Sequence, residues 1–262
     1  MNSQLVNYVK LSPHKGKRTQ AIDRITPHCF VGQVSVERIG AEFQKLTRVA
    51  SCNYGIGVDG RVALIVDEAN RSKCSSNSAN DTRAVTIECA SDATAPYAFN
   101  TAVYSKLLDL CEDICRRNGK TKLIWFGVKD KTLNYMPLPD EMILTVHRWF
   151  ANKSCPGDWM YQRMGNLAEA VTKRLQGVTI QPDPVQNAGT PSEKFKAYKV
   201  KITAKELNVR KGPGTAYKVS TTVKAGQVYT IVDEAQNGSS VWGKLKSGAG
   251  WISLSYTKKT LI

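Results

Sequence analysis

The segment His147-Arg-Trp-Phe-Ala-Asn-Lys153-Ser-Cys155 sets two side chains able to bind zinc eight positions apart, with a lysine between them. The chain holds three histidines, His14, His28 and His147. His28 ends a strand-like run that starts at Ala21, where a side chain can project from a sheet rim into a cleft. A catalytic zinc takes three protein ligands from His, Cys and carboxylates and keeps the fourth position for water. His28, His147 and Cys155 supply such a set, which points to a metal-dependent hydrolase. The same residues also read as a packed thiol and ordinary satisfied histidines, because cysteine is among the most buried residue types. A third reading makes a thiol the nucleophile, with Cys29 beside His28 or Cys155 beside His147.

Such residues need a scaffold. Ser35 is placed to cap a helix whose apolar positions Val36, Ile39, Phe43 and Leu46 recur at three and four residues. Residues 54–58 read as a strand, Asp59-Gly60 as a tight turn, and Val62, Leu64 and Val66 as the return strand. Residues 71–81, rich in Ser and Asn, read as a loop. Residues 84–89 and 123–126 are short, apolar and suited to buried strands. Two amphipathic helices are expected over Thr101–Arg117, stopped by Asn118-Gly119, and over Asp158–Leu175, whose methionines read as core filler. Strands alternating with helices predict an α/β fold with helices covering a mixed sheet. The first twenty residues, carrying Lys10, Lys15, Lys17 and Arg18, predict a basic arm lying on this domain.

At 262 residues the chain exceeds ordinary single-domain length, so two domains are the first expectation. No apolar run approaches the roughly 20 residues of a membrane span. The N-terminus lacks the charged and apolar regions of a secretory signal, which predicts a protein held in the cytoplasm until something else releases it. Seven cysteines, an odd number without any Cys-x-x-Cys pair, favour reduced thiols over a disulfide framework. Cys111 and Cys115, four apart on a helix, are expected to pack. The net charge is +15, of which residues 192–262 carry +9. That excess calls for a polyanion: nucleic acid, anionic lipid, or the wall of a Gram-positive bacterium. No basic recognition helix or motif is present, which disfavours nucleic acid. Pro182, Pro184 and Pro191 mark a linker over 179–196. Beyond it, short β-type runs between Gly- and Pro-rich turns predict a small all-β barrel.

Residues 21–175 resemble the zinc-dependent N-acetylmuramoyl-L-alanine amidases of the type 2 family, which includes peptidoglycan recognition proteins and phage amidases. The resemblance is carried in order by Ile25-Thr-Pro-His28, Ser51-Cys-Asn-Tyr54-Gly-Ile-Gly-Val-Asp-Gly60, Val66-Asp-Glu68, Val85-Thr-Ile-Glu88 and His147-x7-Cys155-Pro-Gly157. It implies an amidase domain over residues 1–178 that holds Zn2+ through His28, His147 and Cys155, with Cys where other branches use Asp. It further implies that Lys153 stabilises the oxyanion and that Tyr54 donates its hydroxyl in the active site. Glu88, a carboxylate on an apolar strand, is expected to serve as general base, with a structural hydrogen-bonding role as the alternative. Residues 197–259, within a second domain expected over 197–262, resemble bacterial SH3 (SH3b) domains through Leu207-Asn-Val-Arg210-Lys-Gly-Pro213-Gly214, Gly226, Trp242, Gly250-Trp251-Ile252 and Tyr256. That likeness implies wall binding, with Tyr217, Trp242, Trp251 and Tyr256 as candidate contacts.

Together these readings predict an endolysin from a phage of a Gram-positive host. Its expected partners are peptidoglycan and anionic wall polymers. A host autolysin of the same chemistry and a non-catalytic recognition protein of the same fold are the alternatives.

Overall fold

Long amphipathic segments and short β-branched runs build the first of two units, Met1–Asn187, and short strands alone build the second, Ala188–Ile262. The computed structural model describes residues 1–177 and 197–260 apart from 48, 216, 238 and 239. The expected linker over 179–196 lies outside the described residues.

The described residues of the first unit contain nine strands: β1 (Val6–Val9), β2 (Gly16–Lys17), β3 (Arg24–Val31), β4 (Tyr54–Ile56), β5 (Val62–Leu64), β6 (Asn70–Arg71), β7 (Ala84–Ser91), β8 (Lys122–Ile124) and β9 (Glu141–Leu144). Its helices are α1 (Val36–Glu42), α2 (Ser78–Asp81), α3 (Thr101–Arg117), α4 (Lys129–Asn134) and α5 (Asp158–Leu175). Seven strands form one sheet in the order β1-β5-β4-β7-β3-β9-β8. All neighbours run parallel except the β4–β5 hairpin, while β2 and β6 make a separate antiparallel ribbon.

Burial on both faces explains the apolar strands. Val85, Ile87 and Cys89 of β7 point to one face, where Val103, Leu107, Leu110 and Ile114 of α3 and Met160, Met164, Leu167 and Val171 of α5 cover them. Each such side chain, fully buried, contributes about 1.5–3 kcal/mol. Cys111 and Cys115 pack in that core as expected. Asn100 caps α3 by accepting from the Val103 N–H. On the other face Val36 and Ile39 of α1 and Phe43 at its C-terminal end pack on Ala63, Ile65 and Val66, and Ser35 caps that helix as its sequence indicates.

Several expectations change. Helix α1 stops at Glu42, and Leu46, expected on its apolar stripe, is 78% exposed. The stretch read as loop over 71–81 contains α2, capped by Asn77 accepting from Asn80 N–H. The N-terminal segment is not merely an arm on the surface, because β1 joins the sheet edge beside β5.

The second unit contains β10 (Tyr198–Ile202), β11 (Glu206–Arg210), β12 (Val219–Lys224), β13 (Val228–Asn237), β14 (Ser240–Leu245), β15 (Trp251–Ser253) and β16 (Thr257–Thr260). They form one antiparallel sheet in the order β12-β11-β15-β14-β13-β10-β16 around Val200, Val209, Ile231, Leu245 and Ile252. The all-β expectation holds, but among the described residues no pairing joins β12 to β16, so hydrogen bonding does not close a barrel. Gly250, with φ +139, brings the chain so close to Arg210 that a Cβ would lie 2.2 Å from its carbonyl oxygen.

Candidate metal centre

The site lies on the sheet face opposite α3 and α5. Along β3, Arg24, Thr26 and His28 alternate with residues turned to the helices. His28 stands opposite Glu88 across the β3–β7 ladder. β3 pairs with β9 only at Arg24 and Ile25. Pro27, which has no N–H to donate, lies where that pairing has stopped. Three residues beyond β9, a 3-10 turn over His147–Trp149 brings the second histidine to the opened strand ends.

Cys155 arrives on the loop before α5. The following Gly157 has φ +84, and a Cβ there would lie 2.7 Å from the Pro96 carbonyl oxygen, so the Cys-Pro-Gly sequence suits that close approach. Cys155 Sγ is 3.3 Å from His28 Nδ1, and the two imidazole rings are 5.1 Å apart. One donor atom each from His28, His147 and Cys155 falls within 4.8 Å of the others. His28, Cys74 and Glu88 form a second such group sharing His28.

A cavity of ≈ 220 Å³ holds His28, Cys74, Glu88, His147, Lys153 and Cys155 in its lining. Burial, then His147, pushes the His28 imidazole well below its ordinary pKa, and burial with Lys153 lowers that of His147. Both rings are therefore neutral and able to ligate at neutral pH. Burial, then the neighbouring Cys29 and Glu88, raises the Cys155 thiol. His28 is 1% exposed, and among the described residues its Nε2 has no hydrogen-bond partner. His28 Nδ1 faces the Cys155 sulfur at a separation that two ligands of one tetrahedral zinc can share, while Ser76 occupies Nε2 of His147 and leaves the other nitrogen of that ring for a metal. Two imidazoles and a thiol form a donor set suited to zinc.

Sequence reasoning missed two contributors. Ser76 hydrogen-bonds His147 Nε2 at 3.0 Å, from a backbone at φ 60 that a serine seldom adopts. Cys74 Sγ lies 3.6 Å from Glu88 Oε1. Nothing in the Ser- and Asn-rich stretch marks either residue, because their roles come from where the loop returns.

Tyr54 is corrected. Its side chain is fully buried in the helix-side core, and its hydroxyl donates to Glu68 Oε1 at 2.6 Å while accepting from the Ser3 N–H at 2.9 Å. Arg117 forks the same carboxylate at 2.9 and 2.7 Å. The reason is local: Asn53 accepts from both Ile65 and Val66 N–H groups, a bulge-like pairing that puts Cys52 toward α1 and Tyr54 toward α3.

In the second unit the four aromatics divide. Trp242 is only 5% exposed, which leaves little ring surface for a wall polymer and corrects its assignment as a contact. Tyr217 and Trp251 are half-buried, with Lys244 Nζ 5.9 Å above the Trp251 ring. Tyr256 is 54% exposed.

Known families match both units. The model of the N-acetylmuramoyl-L-alanine amidase family matches residues 18–158, and that of the bacterial SH3 domain matches residues 205–258. Similar solved structures include PlyL, at 13% identity over 66% of this chain and 98% of that one with a TM-score of 0.43. A selenomethionine derivative of AmpD matches at 15% identity over 66% of this chain and 96% of its own, TM-score 0.44. The endolysine N-acetylmuramoyl-L-alanine amidase LysCS from Clostridium intestinale matches at 12% identity, over 66% and 98%, TM-score 0.40. No curated protein matches the chain by sequence.

Proposed function

Because the chain belongs to the N-acetylmuramoyl-L-alanine amidase family and is by that membership a peptidoglycan hydrolase, we propose that it cleaves the amide between the lactyl group of N-acetylmuramic acid and L-alanine with Zn2+ held by His28, His147 and Cys155. The single observation that carries the ligand assignment is the convergence of one donor atom each from His28, His147 and Cys155 within 4.8 Å of one another at one cavity. When bound, zinc supplies an acidified water and polarises the scissile carbonyl.

The chain's own residues divide the remaining work. Glu88, in the cavity lining beside His28, takes the proton from the attacking water and returns it to the departing L-alanine amine. The Lys153 ammonium, exposed on the rim of the same cavity, holds the charge that develops on the carbonyl oxygen. Ser76 fixes the His147 ring. A thiol nucleophile is disfavoured despite the short Cys155–His28 contact. Activation requires a depressed thiol pKa beside an imidazolium, and here burial drives both groups toward their neutral forms.

The reading extends to the whole chain. Residues 1–178 form the catalytic domain, residues 197–262 hold it on peptidoglycan and anionic wall polymers, and 179–196 link the two. The bacterial SH3 match and the +9 of residues 192–262 support this division. A lytic role after release from a phage-infected host is the reading we favour for an amidase joined to a wall-binding module. A host autolysin would use the same chemistry. No helix among the described residues is long and apolar enough to cross a membrane.

The deciding experiment follows new amine termini released from purified walls by the purified chain, before and after zinc is removed by a chelator and restored. Loss and recovery are expected. Amine release that a chelator leaves untouched would overturn the metal mechanism, and wall binding without any amine release would make the chain a recognition protein.

A further inference from the structure

The first unit holds a second cavity, of ≈ 940 Å³, that the amide chemistry does not use. Lys17, Arg24, Arg71 and Arg83 line it, together with amide and hydroxyl side chains such as Asn77 and Asn80. Among the described residues no carboxylate does. The nearby acids are committed elsewhere: Asp23 to Arg83, and Asp81 to the backbone of Cys74 and to Ser75.

Two arginines of this region differ in what fills their donors. Arg18 gives its guanidinium to five backbone carbonyls, those of Glu68, Asp81, Thr82, Asn70 and Ala84, and so ties loops together. Arg24 is 6% exposed, yet among the described residues its guanidinium donates only to Asn80 Oδ1, at 3.1 Å. A guanidinium has five donors, and a buried cation without a carboxylate partner is costly unless an anion compensates it. Burial, then Arg83, lowers its pKa to about 10, which still leaves it cationic at neutral pH.

The cavity neighbours the metal centre. Arg24 and His28 share one face of β3, roughly 13 Å apart at about 3.3 Å per residue. Asn77 follows Ser76, which holds His147, and Phe150 in the lining donates its N–H to the His147 carbonyl. We infer that this cavity is an anion site for a phosphodiester-linked polyol, the repeating chemistry of anionic wall polymers. A lone carboxylate is satisfied by one bidentate fork. Lys17, Arg24 and Arg71, spread round a large cavity beside the Asp23-paired Arg83 and with amides and hydroxyls between them, match instead a chain that repeats charge and hydroxyl groups. The site would give the catalytic unit its own hold on the wall. It goes beyond the amidase reading and stands without it, because binding is read without turnover.

The test is a titration of the full chain with glycerophosphoglycerol, following the arginine Nε–H signals by NMR. Saturable shifts are expected at Arg24 and Arg71, with Arg18 unmoved. The variant Lys17→Gln/Arg71→Gln, which spares the buried Arg24, should bind about tenfold more weakly. Parallel titrations use inorganic phosphate and acetate. Shifts that fail to saturate, or that the double variant leaves unchanged, would overturn the proposal. So would acetate binding as well as the diester, which would mean a carboxylate site, or tighter binding of inorganic phosphate, which would mean a free-phosphate site.

Discussion

Two buried polar clusters of the first unit, one around His28 and one around Glu68, use similar kinds of side chain and differ in how their hydrogen bonds are filled. Around Glu68 the Tyr54 hydroxyl both donates and accepts, Arg117 forks the carboxylate, and Asp113 holds Arg117 at 2.8 Å. Such a network stabilises the fold, and its members have nothing left for a substrate. Around His28, by contrast, a buried nitrogen has no hydrogen-bond partner among the described residues, while a thiol and a second imidazole stand within ligand distance. The difference distinguishes polar residues that hold the structure from those able to hold a ligand, although Tyr54 and His28 both lie on strands of the same sheet.

The largest effects should come from breaking the His28 cluster. His28→Ala, His147→Ala and Cys155→Ala are each expected to abolish wall hydrolysis and reduce bound zinc, measured by amine release and by metal analysis of the purified chain. Unimpaired hydrolysis by all three would erase the contrast. Zinc affinity should also rise with pH, by about tenfold per unit, because the thiol that burial keeps protonated must release its proton to ligate. A pH-independent affinity would argue that Cys155 is not a ligand.

Smaller losses should follow at the cavity rim. Lys153→Ala and Glu88→Gln are expected to keep zinc while turnover falls about 10²-fold or more. If Glu88→Gln instead lowers the melting temperature and leaves turnover intact, Glu88 belongs with the structural cluster. Tyr54→Phe tests the other side of the comparison. It leaves the Ser3 N–H and Glu68 short of a partner, so it should cost about 1–3 kcal/mol of stability in denaturant unfolding with kcat unchanged. A loss of kcat at constant stability would return Tyr54 to the reaction.

The weakest expected effect is in the second unit, where Tyr256→Ala should loosen retention of the full chain on purified walls a few-fold across a salt series. Trp242→Phe should leave retention unchanged, because that ring is buried. The reverse ranking would restore Trp242 as the contact.

Local periodicity is what a reader of the chain can use, and it served well where elements are long. Both amphipathic helices, Thr101–Arg117 and Asp158–Leu175, begin and end where their apolar repeats and stop signals place them. It served poorly where strands are short or polar. Glu141–Leu144 gave no separable signal beside its flanking prolines, and Val219–Lys224 and Thr257–Thr260 are strands without an apolar alternation, held by edge pairing. Tyr54 shows the sharper failure: a single irregular pairing at Asn53 decides which face the ring enters, and no spacing in the sequence records it.

By itself the amino-acid sequence determined the donor types, their spacing, the two long helices and the excess of positive charge in the C-terminal segment, since each depends on residue identity and near neighbours. Only the tertiary structure decided that His28 meets Glu88 across a parallel ladder, that Ser76 returns to His147, that Tyr54 turns away to Glu68, and that Arg24 opens on a cavity. Those outcomes depend on strand order and register between segments tens of residues apart, which local side-chain preferences leave open.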